Sequence, residues 1–155
     1  MIFEKADLND IPELIGMRKE YLTEDHGEMP PDTVRKISEN LLTYFPAHLN
    51  KDLSVFVCRD CGSIVGCCFL GVFEKPANPS FISGRTGTVL NVYTKAEYRR
   101  KGIAGRLMKM LLSEAAELKL DYVELKATDC GYELYRSLGF KDTVSEYRDM
   151  KYVID

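Results

Sequence analysis

The sequence has no apolar run long enough to cross a lipid bilayer. Its longest, from Ile64 to Phe73, falls well short of the roughly 20 residues that a transmembrane helix needs. The first residues, MIFEKADLND, lack the continuous apolar stretch of a secretory signal peptide. Cysteines are few and odd in number, and Cys67 and Cys68 are adjacent, which suits reduced thiols better than a disulfide framework. These absences predict a cytoplasmic protein with no membrane partner.

Internal repeats, linkers and low-complexity segments are absent as well. With 155 residues, 45% of them apolar and 29% charged, the chain has the length and composition of one globular domain, which we expect to span residues 1–155. The net charge of -3 argues against a protein that binds nucleic acid over its whole surface. Any basic binding site must therefore be local.

The sequence does not contain enough suitably placed ligands for a structural metal site. Cys58 and Cys61 form a C-x-x-C pair across a predicted hairpin turn, but a structural zinc site needs four ligands. The neighbouring Cys67 and Cys68 are consecutive on a predicted strand, so their side chains point to opposite faces. We predict no bound metal.

Two common nucleotide-binding motifs are missing too, since G-x-x-x-x-G-K-[ST] does not occur and no G-x-G-x-x-G follows a strand. What the sequence does contain is a dense basic stretch, EYRRKGIAGRLM, from Glu97 to Met108. Its glycines, Gly102 and Gly105, let a ligand oxygen approach backbone N–H groups at the start of a helix, where the helix dipole is positive. This stretch predicts a site for a phosphate group.

Hydrophobic periodicity divides the chain into alternating strands and helices. Helices are predicted over 10–22, 32–50, about 102–118 and 131–138, the last closed by Gly139. Strands are predicted over 1–6, over 53–73 as a hairpin turning at 59–62, and over 86–94, 121–127 and 145–155. This order predicts an α/β or α+β protein in which helices pack on the faces of one sheet.

The basic stretch resembles a known signature. The pattern R-x-x-G-x-A from Arg99 to Ala104 is similar to the pyrophosphate-binding motif of the GNAT superfamily of N-acetyltransferases, and the longer segment LNVYTKAEYRRKGIAGRLM looks like that family's central strand and coenzyme-binding helix. ELYRSLGF, from Glu133 to Phe140, resembles the family's second motif at the expected distance. The resemblance implies a mixed, mostly antiparallel central sheet that is flanked by helices and splayed at the central strand. It also implies acetyl-coenzyme A as co-substrate.

The resemblance further implies how the coenzyme is held. Main-chain groups of Val92, Tyr93 and Thr94 would run beside the pantetheine arm, and Thr128 stands where the family often has an asparagine that contacts this arm. The pyrophosphate would be bound by the basic loop and the first helical turn, namely Arg99, Arg100, Lys101, Gly102, Ile103, Ala104 and Gly105.

The chemistry implied by the resemblance is direct attack of a primary amine on the thioester. Tyr135 matches the family's usual proton donor to the leaving thiolate, whereas Asn91 occupies the position of a glutamate that serves many members as the base. Four residues are predicted to lie in an acidic loop after the first helix that borders the acceptor pocket: Glu24, Asp25, His26 and Glu28. One of them, or a chain of water molecules, could serve as the base instead, and Glu24 is our tentative choice. The acidic character of this loop suggests a cationic acceptor, either a small molecule or a peptide.

Two other functions use the same residues. G-I-A-G, from Gly102 to Gly105, is a basic G-x-x-G of the kind that binds nucleic-acid backbone in KH modules, although the acidic net charge favours no nucleic-acid partner. A non-catalytic coenzyme A-binding protein would also need the loop. The alternating apolar residues of the last predicted strand suggest a homodimer paired through that edge.

Overall fold

The alternation of strand and helix patterns folds into one sheet with helices on both faces. The computed structural model describes the whole chain, from Met1 to Asp155. The strands are β1 Ile2–Lys5, β2 Leu53–Asp60, β3 Ser63–Glu74, β4 Arg85–Thr94 and β5 Val123–Glu124. The helices are α1 Ile11–His26, α2 Pro31–His48, α3 Ile103–Glu117 and α4 Asp129–Ser137. None of these helices combines the length and the apolar content that a membrane crossing requires.

The sheet is mostly antiparallel and opens at one end. Its strands lie in the order β1-β2-β3-β4-β5, and every neighbouring pair is antiparallel except β4 and β5. These two parallel strands pair only where Gly87 faces Val123 and Thr88 faces Glu124. The remainder of β4 diverges from β5, which confirms the predicted mixed sheet with a splay at the central strand.

Two apolar cores lie on opposite faces of the sheet. Helices α1 and α2 cover one face, where Phe45 and Leu14 are fully buried, and α3 covers the other with Leu107. Because side chains alternate along a strand, the adjacent Cys67 and Cys68 belong to different cores. The predicted division of this cysteine pair between faces is thus confirmed.

A β-bulge interrupts the pairing of β3 with β4. Phe69 faces Asn91 and Leu70 faces Val89, so Leu90 is the extra residue on β4. A bulge bends its strand and redirects the side chains that follow it. Here it directs Asn91 toward the face that α1 covers, just beyond the point where β4 leaves β5.

The first helix is one turn longer than predicted. It continues to His26, where Gly27 ends it with a φ of 76°, so the predicted end at residue 22 is wrong. The polar residues after Leu22 made the segment resemble a loop. Polar side chains are also compatible with the last turn of a helix when that turn is exposed to solvent. Glu24 therefore lies on a helix, and of the acidic residues considered there only Glu28 follows it.

The C-terminal part of the chain differs most from expectation. The strand predicted over 121–127 shrinks to Val123–Glu124, and residues 145–155 form no strand. A strand needs a partner for its backbone groups, and the two-residue β5 offers almost no edge. Large apolar side chains of this segment are consequently exposed, including Tyr147 at 89% and Met150 at 93%.

Gly66 determines how closely α3 can approach β3. A Cβ at this position would lie 2.8 Å from Ile103 Cγ2, whereas a Cβ at Gly16 on α1 would meet no heavy atom within 4 Å. We expect Gly66→Ala to lower the free energy of unfolding by about 1–3 kcal/mol through overpacking. Gly16→Ala should raise it by roughly 0.5–1 kcal/mol through helix propensity. Urea denaturation of both variants checks this, and equal effects would contradict the contact between β3 and α3.

Candidate functional site

The loop between β4 and α3 carries a row of unpaired backbone donors. After a single 3-10 turn over Ala96–Tyr98, the chain passes through Arg100 with a φ of 62° and Gly102 with a φ of 76°. None of the N–H groups from Arg100 to Gly105 donates to an acceptor in the protein, and the first bonded one is Arg106, 3.1 Å from the Gly102 oxygen. Consecutive free N–H groups at a helix start form an anion site.

Basic side chains surround this row of donors. Arg100 and Lys101 are exposed, and the Lys101 ammonium lies 4.8 Å from the centroid of the Tyr98 ring. Tyr98 is held in turn by Asp60, which accepts a hydrogen bond from its hydroxyl at 3.1 Å and raises the pKa of Tyr98. The two cations add to the positive end of the helix dipole, so the loop suits a phosphate or pyrophosphate group.

Arg99 has a different role from the two cations that follow it. Its Nε donates to the Thr94 carbonyl oxygen at 2.9 Å, and its Nη2 lies 2.5 Å from Glu24 Oε2. The same carboxylate accepts a hydrogen bond from the Tyr93 hydroxyl at 3.1 Å. Arg99 therefore links the end of β4 to the last turn of α1.

The splay exposes main-chain groups of β4. The N–H of Lys95 donates to the Val65 oxygen at 2.9 Å, and hydrogen-bonded pairs alternate along antiparallel strands. The backbone of Tyr93 consequently faces β3, whereas the backbones of Val92 and Thr94 face the gap beside β5. The sequence placed all three residues along the coenzyme arm. Val92 and Thr94 point main-chain groups to the gap, although the Thr94 oxygen already accepts a hydrogen bond from Arg99 Nε.

Tyr135 lies on α4 with its hydroxyl unbonded. The half-buried ring packs edge-on against Phe140, with centroids 6.0 Å apart, and a Cβ at Gly131 would lie 2.8 Å from the ring. Burial raises the pKa of Tyr135, with smaller contributions from Tyr21 and Cys68. The hydroxyl is therefore protonated at neutral pH, and because it makes no hydrogen bond within the protein, it is free to donate.

Two further residues of the expected coenzyme site have structural contacts. Thr128 precedes α4 and its Oγ1 accepts the N–H of Gly131 at 3.2 Å, so it caps the helix. Gly105 lies against α4, since a Cβ there would be 3.5 Å from Leu134 Cδ1. That distance is an ordinary van der Waals contact, so the packing of α3 on α4 does not by itself require a glycine here.

The sheet face that α1 covers carries an arginine, Arg18, that the sequence analysis missed. Arg18 Nη1 donates to Asn91 Oδ1 at 2.8 Å, and its guanidinium lies 5.3 Å from the centroid of the Tyr21 ring. Tyr21 packs edge-on against Tyr93. The signal was present in the helix pattern, where Arg18 follows Leu14 by one turn on the apolar face of α1.

The acidic residues nearby are already paired. Glu24 contacts Arg99 and Tyr93, and Glu20 lies 4.0 Å from Lys95. Burial, followed by Glu24, raises the pKa of Tyr93 to about 12. Glu24, the carboxylate that we singled out in the acidic segment, thus binds a cation of the protein itself.

Two alternatives from the sequence find no support in the geometry. The G-x-x-G from Gly102 to Gly105 follows β4 and a 3-10 turn, whereas a KH loop joins two helices. Cys58 is buried and Cys61 exposed, and no group of three or more histidine, cysteine or acidic residues is arranged to hold a metal ion.

Known protein families and solved structures include matches to this chain. The family model described as an acetyltransferase (GNAT) domain matches residues 51–142. The chain resembles the structure of a predicted acetyltransferase with acetyl-CoA from Clostridium acetobutylicum at 28% identity and a TM-score of 0.82, covering 97% of this chain and 95% of that one. No curated protein matches the chain.

Two further solved structures share the fold at lower identity. A GCN5-related N-acetyltransferase from Ralstonia eutropha is 22% identical with a TM-score of 0.80, and the match covers 96% of this chain and 97% of that one. A ribosomal-protein-alanine N-acetyltransferase from Brucella melitensis is 21% identical with a TM-score of 0.68, covering 97% and 100%.

Proposed function

This chain belongs to the GNAT family of acetyltransferases, and we propose that it transfers the acetyl group of acetyl-coenzyme A to a primary amine by direct attack. The observation that supports this most is the row of free N–H groups from Arg100 to Gly105, next to the gap between β4 and β5. We further propose that residues 1–155 act as one domain, because the site takes residues from α1 as well as from the matched region. The five free cysteines suit a cytoplasmic location.

The loop and β4 have the groups that the coenzyme requires. The free N–H groups from Arg100 to Gly105 would bind the pyrophosphate, with Lys101 and Arg100 adding charge. Val92 and Thr94 would pair with the amide groups of the pantetheine arm as an added strand does. In the acetyltransferase from Clostridium acetobutylicum, whose structure is one with acetyl-CoA, the same fold carries this ligand.

Tyr135 is proposed as the proton donor to the departing sulfur. When bound, the coenzyme supplies an acetyl thioester, whose thiol has a pKa of about 8.5 and needs only a nearby hydroxyl. The free, protonated hydroxyl of Tyr135 meets that need. A backbone N–H in the segment Val92 to Thr94 would stabilise the negative charge that develops on the carbonyl oxygen.

The amine must lose a proton before it attacks, since an alkylammonium has a pKa of about 10.4. Asn91 cannot accept that proton. We keep Glu24 as the proposed acceptor, reached through water, because 47% of its side chain is exposed at the end of the cleft. Its contacts with Arg99 and Tyr93 orient the carboxylate.

Acetyl-coenzyme A should raise the melting temperature, whereas NAD and ATP should not. A ligand at a hundredfold excess over its Kd adds about 2.7 kcal/mol to stability. Gly102→Asp should abolish most of this shift, because its carboxylate would lie where the phosphate approaches. Lys101→Ala removes only one exposed cation and should weaken binding far less. Thermal unfolding of the three proteins checks this, and the absence of any shift at millimolar coenzyme would refute the proposal.

Tyr135→Phe should retain coenzyme binding and slow acetyl transfer. A general acid typically contributes about 10² to 10⁴ in rate, and the weakly basic thiolate favours the lower end. Tyr132→Phe is the matched control, since it removes a hydroxyl one turn earlier that already binds Asp142. Release of free thiol with a panel of amines measures both variants. A Tyr135→Phe turnover within twofold of wild type would exclude its role, and a wild type that binds coenzyme without releasing thiol would be a non-catalytic binder.

We also propose a homodimer formed through the C-terminal segment 145–155. Its apolar side chains, including Met150 and Val153, are exposed at 93% and 70%, which is unusual for a soluble monomer. Sedimentation at micromolar concentration should show a dimer, and Met150→Asp with Val153→Asp should give a monomer. Lys151→Glu changes the charge equally without altering the apolar residues and should leave the dimer intact. A monomeric wild type would end this proposal.

A further inference from the structure

Arg18 is a half-buried cation without a carboxylate partner. No acidic oxygen lies within 4.0 Å of its guanidinium. Its one hydrogen bond within the protein goes to the neutral Oδ1 of Asn91. A guanidinium has five N–H donors, so most of the donors of Arg18 have no protein acceptor.

Arg59, another largely buried arginine of this protein, is surrounded by carboxylates. Its side chain is 18% exposed, and the carboxylates of Glu4, Asp10 and Glu13 lie within 4.0 Å of it. Buried charges are expected to be paired. Arg18 departs from that rule, and the departure occurs beside the candidate site.

Arg18 lies on the sheet face that α1 covers, beside the end of β4. We call this region the acceptor side, because the proposed amine would approach the thioester from here. The partner of Arg18, Asn91, is 3% exposed and follows the bulge in β4, where the strand leaves β5. Its guanidinium also lies over Tyr21, which packs against Tyr93 and contributes to the shift at Tyr135. The helix that carries Arg18, α1, thus covers the sheet face opposite to α3, whose first turn is proposed to bind the pyrophosphate.

The neighbouring carboxylates leave the charge of Arg18 uncompensated. Glu20 lies near Lys95, and Glu24 is bound to Arg99. The acceptor side therefore has one free positive charge whose planar donors match a carboxylate.

We infer that the acceptor amine carries a carboxylate, which Arg18 binds and thereby orients the amine toward the thioester. This inference rests on the proposed acetyl transfer and specifies its substrate class: amino acids, or peptides with an acidic residue beside the amine. It replaces the cationic acceptor suggested by the sequence, because Glu24, Asp25 and Asp32 of the acidic segment contact basic side chains of this protein and only Glu28 has no such partner.

The test compares each α-amino acid with its own amide, which keeps the amine and removes the negative charge. Wild type should acetylate the best amino acid with a kcat/KM about tenfold to a hundredfold above its amide, as expected for a lost charged hydrogen bond. Arg18→Gln should abolish this preference, and Arg18→Lys should retain part of it. Lys19→Gln removes a charge one residue further along α1 and should retain all of it.

A second variant, Asn91→Asp, keeps the test decisive if Arg18→Gln fails to fold. Asn91→Asp is nearly isosteric and places a carboxylate next to Arg18, so it should also remove the preference for acids. The acetyl-coenzyme A shift in melting temperature shows that each variant is folded and has its coenzyme site. A parallel series of peptides with an acidic first residue distinguishes free amino acids from peptide acceptors.

Failure of the inference can be told apart from failure of the proposed function. Equal turnover of acids and amides by wild type and Arg18→Gln would overturn the inference and leave acetyl transfer standing. If wild type released no thiol with any amine, the proposed acetyl transfer would be refuted. Calorimetry with N-acetylated amino acids and their amides, in the presence of coenzyme A, would then decide. Tighter binding of the acids that is lost in Arg18→Gln supports the carboxylate site, and equal binding refutes it.

Discussion

The short pairing between β4 and β5 is the constraint on which the site depends. Two residue pairs join these strands at Gly87 and Thr88, and beyond them β4 has β3 on one side and a gap on the other. Backbone groups left without a partner must bind something. We therefore propose Val92 and Thr94 as binding residues on the basis of strand geometry, whatever their side chains. The same divergence places the end of β4 beside the free N–H groups that begin α3, so the gap and the anion site are continuous.

The ion pair between Glu24 and Arg99 connects this gap to the other face of the sheet. Both side chains are close to half exposed, at 47% and 44%, so the pair adds little to stability. Its role is to position these elements. The pair joins the last turn of α1 to the start of the loop, and Glu24 also binds the Tyr93 hydroxyl between them. An additional turn of helix is needed to bring Glu24 there. That is a physical reason for α1 to run past Leu22 despite the polar residues that follow.

The sequence predicts the parts of this protein that depend on local patterns. The strand before Arg99 and the helix after Gly102 have clear periodicity, and the glycine allows the positive φ that the turn requires. Patterns cannot show which partner a segment finds. Residues 145–155 alternate as a strand does, yet β5 is too short to receive them. Glu24 looked like a loop carboxylate because its partner, Arg99, is distant in sequence. Arg18 was missed for the same reason, since its partner, Asn91, is 73 residues away.

The charges of Asn91 and Arg18 are best considered together, because the two side chains are hydrogen-bonded to each other. A carboxylate at position 91 would lie next to Arg18, whose Nη1 now donates to the Asn91 amide oxygen at 2.8 Å, and would form a salt bridge at the bulge in β4. That carboxylate would be held by the guanidinium and could not also repel or attract a substrate strongly. With asparagine, the amide oxygen still orients the guanidinium, but its positive charge remains available. An asparagine at position 91 thus has two consequences with one physical cause: β4 has no carboxylate there, and Arg18 has no ion-pair partner.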